Sequence, residues 1–125
     1  MAINASSILG NTAPGSGGGG LSIQGGAVTI QGHSPFENNS APNGGGAIST
    51  SSTLTINGAV FSGNTALMGP GGAILDLSGN SYTIANAIFT GNNTSQGTLM
   101  TIATGAVTFS NVTITAGHPS VQCVQ

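Results

Sequence analysis

Gly45-Gly46-Ala47-Ile48, Leu54-Thr55-Ile56 and Phe61-Ser62-Gly63-Asn64 recur in the same order as Gly71-Gly72-Ala73-Ile74, Tyr82-Thr83-Ile84 and Phe89-Thr90-Gly91-Asn92. In both copies the Phe stands five residues beyond the Ile of the middle block. Self-similarity at a period of about 25 to 28 residues is the mark of a solenoid, in which each repeat buries its apolar face only against its neighbours. Weaker copies keep the register on either side. Leu21 leads to Val28-Thr29-Ile30 and Phe36-Glu37-Asn38-Asn39, and Leu99 leads to Val107-Thr108-Phe109 and Ile114. At the start, Ile8-Leu9-Gly10-Asn11-Thr12-Ala13 matches Phe61-Ser62-Gly63-Asn64-Thr65-Ala66.

Aligned in this way, the columns alternate as strands do. Val28, Leu54, Tyr82 and Val107 precede an unbroken Thr column (Thr29, Thr55, Thr83, Thr108), and Ile30, Ile56, Ile84 and Phe109 follow it. Side chains on a strand point alternately to its two faces, so the flanking columns are read as inward and the Thr column as outward. The abundance of Val, Ile and Thr, with Gly or Asn-Gly at the breaks, argues for short strands of three to five residues and against helix. Coils stacked at roughly 4.8 Å place like residues above one another. The expected core ladders are therefore Ile8, Phe36, Phe61, Phe89 and Ile114, and Ile30, Ile56, Ile84 and Phe109. Asn11, Asn39, Asn64 and Asn92 form a turn ladder, where Asn tolerates left-handed backbone and its amide bonds the coils above and below. The Gly pairs at 18 and 19, 45 and 46, and 71 and 72 mark corners where a side chain would collide or φ turns positive.

These residues resemble the repeat of chlamydial polymorphic outer-membrane proteins, in which Gly-Gly-Ala-Ile is followed by Phe-x-x-Asn. Gly45 to Ala66 and Gly71 to Asn92 carry the pattern best. The last copy departs from it, with Gln96-Gly97-Thr98-Leu99 in place of the Gly-rich opening and Gly117 in place of Asn. The resemblance implies a right-handed parallel β-helix, secreted or displayed at the cell surface, often an adhesin or autotransporter passenger, and it implies no particular catalytic residue. The expected fold is all-β: a single β-solenoid domain over residues 1–125, of about five coils without capping elements. The coils fall approximately at 1–20 (partial), 21–45, 46–71, 72–97 and 98–125.

Composition removes whole classes of function. The 125 residues include no Lys, no Arg, one Asp (Asp76) and one Glu (Glu37), where a domain of this size usually carries roughly 30 charged side chains. Nothing is left to neutralise nucleic-acid phosphates or anionic lipid, or to grip a carboxylate. The longest apolar runs are too short to span a bilayer. No nucleic-acid partner, membrane insertion or cofactor is expected. An enzyme is not expected either: glycoside hydrolysis needs two facing carboxyls and calcium-dependent lyase chemistry several acidic ligands, whereas Glu37 and Asp76 fall on different sides of different coils. The facing of Asp76 stays open, because Leu75 and Leu77 compete with it for the inward direction. His33 and His118 each lie close to a proline and read as exposed turn residues about three coils apart, too far to share a metal. Cys123 is a lone thiol without a neighbouring cation to activate it, suited to an interchain bridge or simple burial.

Two functional readings follow. Ala2-Ile3-Asn4 matches Thr55-Ile56-Asn57, and Ser120-Val121-Gln122-Cys123-Val124-Gln125 reads as the opening strand of a further coil. Ala2, Ile3 and Asn4 of one copy are thus expected to meet Val121, Cys123 and Val124 of another, giving an extracellular filament whose partner is the chain itself. Low charge favours such stacking, since charged ladders would repel at every step. The second reading is an adhesin or autotransporter passenger within a longer surface protein, with host-cell or surface glycans as partners. An ice-binding solenoid is a third, resting on the outward Thr column; the missing second Thr file speaks against it, and ordinary strand preference explains Thr there.

Overall fold

The computed structural model describes residues 1–80, 82–96, 98–103, 106–117 and 120–124. Thirteen strands follow one another: β1 Ala2–Asn4, β2 Ile8–Leu9, β3 Leu21–Ile23, β4 Val28–Glu37, β5 Ser40–Ala41, β6 Ile48–Thr50 and β7 Leu54–Ser62. Then come β8 Thr65–Ala66, β9 Ile74–Asp76, β10 Tyr82–Thr94, β11 Thr98–Ala103, β12 Val107–Gly117 and β13 Ser120–Val124. Every pairing between them is parallel and joins one coil to the next. The chain is an all-β parallel solenoid with no helix among the described residues.

One wall stacks β1, β4, β7, β10 and β12, and another stacks β3, β6, β9, β11 and β13. Along the first wall the register runs Ala2, Thr29, Thr55, Thr83, Thr108, steps of 27, 26, 28 and 25 residues. Five rungs bound four intervals, so the solenoid closes about four turns where the sequence suggested five coils.

The strands of the first wall are longer than the three to five residues expected. β4, β7, β10 and β12 have 10, 9, 13 and 11 residues. Each runs through a corner without losing its partners, because one residue in the left-handed region turns the chain while pairing resumes on the far side. That residue is Gly58 (φ 96°), Asn86 (φ 52°) or Asn111 (φ 52°). In β4 the same corner holds two such residues, Gly32 (φ 73°) and His33 (φ 57°), and the register slips between Gln31 and Ser34. This one-residue bulge explains why Phe36 stands six residues from Ile30. His33 therefore belongs to a bulged strand, where the sequence had suggested a turn.

The core is a file of ladders. Ile30, Ile56 and Ile84 are buried beside Val28, Leu54 and Tyr82, and Phe36, Phe61 and Phe89 stack face to face, with centroids 5.0 and 4.8 Å apart and planes within 19° and 6°. These spacings equal the distance between paired strands, so the rings stack because the backbone does. Ile8 and Ile114 are only partly buried, and Phe109 is 42% exposed. Phe109 keeps its ladder position opposite Ile84. It departs from the expected burial because β12 is the outermost described rung of its wall and nothing described covers its other side.

The Gly-Gly pairs answer to close approach. A Cβ on Gly45 would fall on the carbonyl oxygen of Ile48, and one on Gly46 on that of Gly72 in the next coil. Only a bare backbone fits where successive corners nest.

Candidate functional site

Catalytic chemistry has little to build on among the described residues. Glu37, half-buried, lies on β4, and Asp76, fully buried, on β9 of the other wall. No three His, Cys, Asp or Glu side chains gather there to hold a metal ion. His33 is exposed at its corner, and His118 lies outside the described residues. Val121, Cys123 and Val124 stand in β13, in register with Met100, Ile102 and Ala103 of β11. No helix of the described residues is long and apolar enough to cross a membrane.

The polar feature that runs through the molecule is the Asn ladder. Asn39 Oδ1 accepts the backbone N–H of Asn11 at 3.0 Å and its amide at 3.1 Å. Asn64 Oδ1 accepts the same pair from Asn39, both at 3.0 Å, and Asn92 Oδ1 the pair from Asn64 at 3.1 and 2.8 Å. Each amide spends its second hydrogen on the coil before it: Asn39 on the Ile8 carbonyl, Asn64 on Phe36, Asn92 on Phe61. A buried Asn thereby satisfies its own polar atoms and a main-chain carbonyl left over at the bend. Asn39, Asn64 and Asn92 are buried and Asn11 is exposed on the outermost rung. The left-handed residue is the one before each Asn, namely Gly10, Asn38, Gly63 and Gly91 with φ from 54° to 64°. The expectation that the ladder Asn itself takes that conformation is corrected: the preceding residue turns the chain, which frees the Asn side chain to point inward.

Thr29, Thr55, Thr83 and Thr108 lie side by side on the outside of the first wall, the first two half-buried and the others exposed. Ala2 and Asn4 on β1 are exposed and Ile3 half-buried, with Ile3 opposite Ile30.

A second Asn ladder escaped the reading of the sequence. Asn86 donates to Asn57 Oδ1 at 2.7 Å and Asn111 donates to Asn86 Oδ1 at 2.8 Å. With His33, Ile88 and Thr113 these residues line a shallow groove of about 370 Å³ along the corner. The alignment hid it because Asn57 stands one residue past its Ile while Asn86 stands two past. A recurrent Asn near each corner, allowed one residue of slack, would have been the signal.

Asp76 faces inward, 0% exposed, with Leu75 also buried and Leu77 exposed. It occupies the register position of Thr50 below and Ile102 above. Thr50 Oγ1 accepts the N–H of Ser52 at 3.0 Å, and Asp76 Oδ1 accepts that of Ser78 at 2.7 Å, so both side chains close the same corner in successive coils. Tyr82 stands beside this corner, its hydroxyl 3.2 Å from Ser78 Oγ and 3.4 Å from the Ser52 carbonyl. Burial, and then the neighbouring Asp76 carboxylate, hold its phenol well above the usual tyrosine range.

Residues 36–51 match the Chlamydia polymorphic membrane protein repeat. This segment runs from one Phe of the aromatic stack through the Asn39 rung and the close-packed Gly45-Gly46 to Ile48, so the matched motif consists of the residues that join coil to coil. No curated protein and no solved structure matches the chain. The chain carries a β-helix repeat similar to that of the chlamydial polymorphic membrane proteins.

Proposed function

We propose that this chain is a structural element of a cell surface, a β-solenoid that stacks end to end with further copies of itself into a filament. The observation that supports the reading is the sameness of the rungs. Thr sits on Thr, Phe on Phe and Asn on Asn, with no charged residue in any of these ladders. A coil that accepts its own kind on one side is equally suited to do so on the other. Edge strands usually carry a charge or a proline that blocks such pairing, and the described residues of β1 and β12 hold neither. Phe109, with 42% of its surface exposed on β12, and the half-buried Ile3 on β1 supply the apolar contact.

The Thr-lined wall and the Asn groove remain on the outside of such a stack. The match to a membrane-protein repeat favours a second reading, a surface-displayed passenger in which the rod presents that wall to host glycans. Light scattering on the wild type and on Phe109→Lys separates the two. The filament reading expects large assemblies for the wild type and monomers for Phe109→Lys, with unchanged strand content by circular dichroism. Monomeric wild-type protein at high micromolar concentration would overturn it and leave the passenger.

A further inference from the structure

We propose that Asp76, with Thr50, Ser52, Ser78 and Tyr82, forms a site for a hard cation of the calcium type at the corner between β9 and β10. The starting point is a charge problem. Asp76 is fully buried, its Oδ1 accepts two hydrogen bonds from Ser78 at 2.7 and 2.6 Å, and its Oδ2 has no hydrogen-bond partner. The sequence contains no Lys or Arg to stand opposite it. A buried carboxylate left in this state is costly, and an orphaned oxygen in a native core calls for a partner. A cation would serve both oxygens at once.

The surroundings offer the donors such an ion takes. Ser78 Oγ bridges Asp76 and the Tyr82 hydroxyl, the Tyr82 hydroxyl reaches the Ser52 carbonyl, and Thr50 Oγ1 lies 3.0 Å from that same carbonyl. All are oxygens, and neither nitrogen nor sulfur ligands stand among them, a set that suits calcium over zinc or copper. Ser52 and Ser78 are half-buried and Leu77 beside them is exposed, which gives an ion and its remaining waters a way in. A single carboxylate places the affinity at the weak end known for extracellular calcium modules, about 10⁻⁴ to 10⁻³ M. The site is independent of whether the solenoid polymerises.

The chain contains one tyrosine and no tryptophan, so terbium emission excited through tyrosine reports on this corner alone. The proposal expects saturable emission from the wild type and from Glu37→Gln, its displacement by millimolar calcium but not by potassium, and its loss in Asp76→Asn. Calcium at 5 mM, at fixed ionic strength, should favour the folded wild type by about sixfold for a Kd near 1 mM and raise its melting midpoint. Absence of sensitised emission from the wild type, equal emission from Asp76→Asn, or a wild-type midpoint indifferent to calcium would each overturn the site. The wild-type measurements decide the matter even where Asp76→Asn does not fold.

Discussion

Truncating the central ring of the aromatic stack tests the ladder most sharply. Phe61 is 0% exposed and lies between Phe36 and Phe89 with centroids 5.0 and 4.8 Å away. Phe61→Ala removes the transfer free energy of a fully buried ring and leaves a cavity that two rigid coils cannot close, a loss of about 3 to 5 kcal/mol. Both stacking contacts lie inside that loss, each worth about 0.5 to 1.5 kcal/mol. Phe109 offers an internal control: it stands in a core ladder by register but is 42% exposed on one side of the stack. Its truncation should cost about 1 kcal/mol, and the outward Thr55→Ser less than about 0.5 kcal/mol. Thermal unfolding followed by circular dichroism should place the midpoint of Phe61→Ala at least about 7 °C below that of Thr55→Ser, taking about 3 °C or more per kcal/mol for a domain of this size. Equal midpoints for Phe61→Ala and Phe109→Ala would refute the reasoning, because the stack would then carry no more of the stability than an edge residue.

Asn64→Asp replaces an amide that donates to Phe36 and Asn92 with an acceptor facing two oxygens, so the variant should be several kcal/mol less stable at neutral pH. Its carboxyl, fully buried and with one oxygen set against two acceptors, should have a folded pKa above the unfolded value of about 3.9; stability is then fullest below that value and falls as pH rises through the folded pKa, which urea titrations at pH 3 and 7 would show. Gly46→Ala sets a methyl against the Gly72 carbonyl of the next coil and should lose about 1 to 3 kcal/mol, whereas Gly25→Ala, whose Cβ meets open space, should be nearly neutral. The phenol of Tyr82 is raised, so its contribution is complete below its unfolded pKa near 10 and is lost as pH climbs toward the folded value. Absorbance at 295 nm should show no phenolate at pH 11 while strand content persists, and the melting midpoint should drop between pH 9 and 11.

How much of this was visible beforehand follows from the physics of stacking. A ladder holds one residue type at one register, so Phe36, Phe61 and Phe89, the Thr column and Asn39, Asn64 and Asn92 could be read as columns before any coordinate was known. Corners are different. The left-handed turn is made by Gly32 and His33, Gly58, Asn86 or Asn111, residues that share a backbone conformation and, His33 apart, a place two residues past the ladder Ile or Phe, but not one side chain. That is why the long continuous strands, the bulge at His33 and the Asn57, Asn86, Asn111 ladder were hidden. Asp76 was ambiguous for another reason: both of its neighbours are Leu, and hydrophobicity alone would have turned it outward. Its hydrogen bonds to Ser78 repeat the corner closure that Thr50 makes with Ser52 one coil below. Phe109 shows that register fixes direction while burial needs a neighbour on both sides.

The central functional claim is that like coils recruit like coils, and electron microscopy of the purified chain tests it most directly. Five rungs at roughly 4.8 Å predict unbranched filaments with an axial repeat near 24 Å per subunit and a strong 4.8 Å layer line. Discrete particles of monomer size, or fibres lacking that repeat, would contradict it.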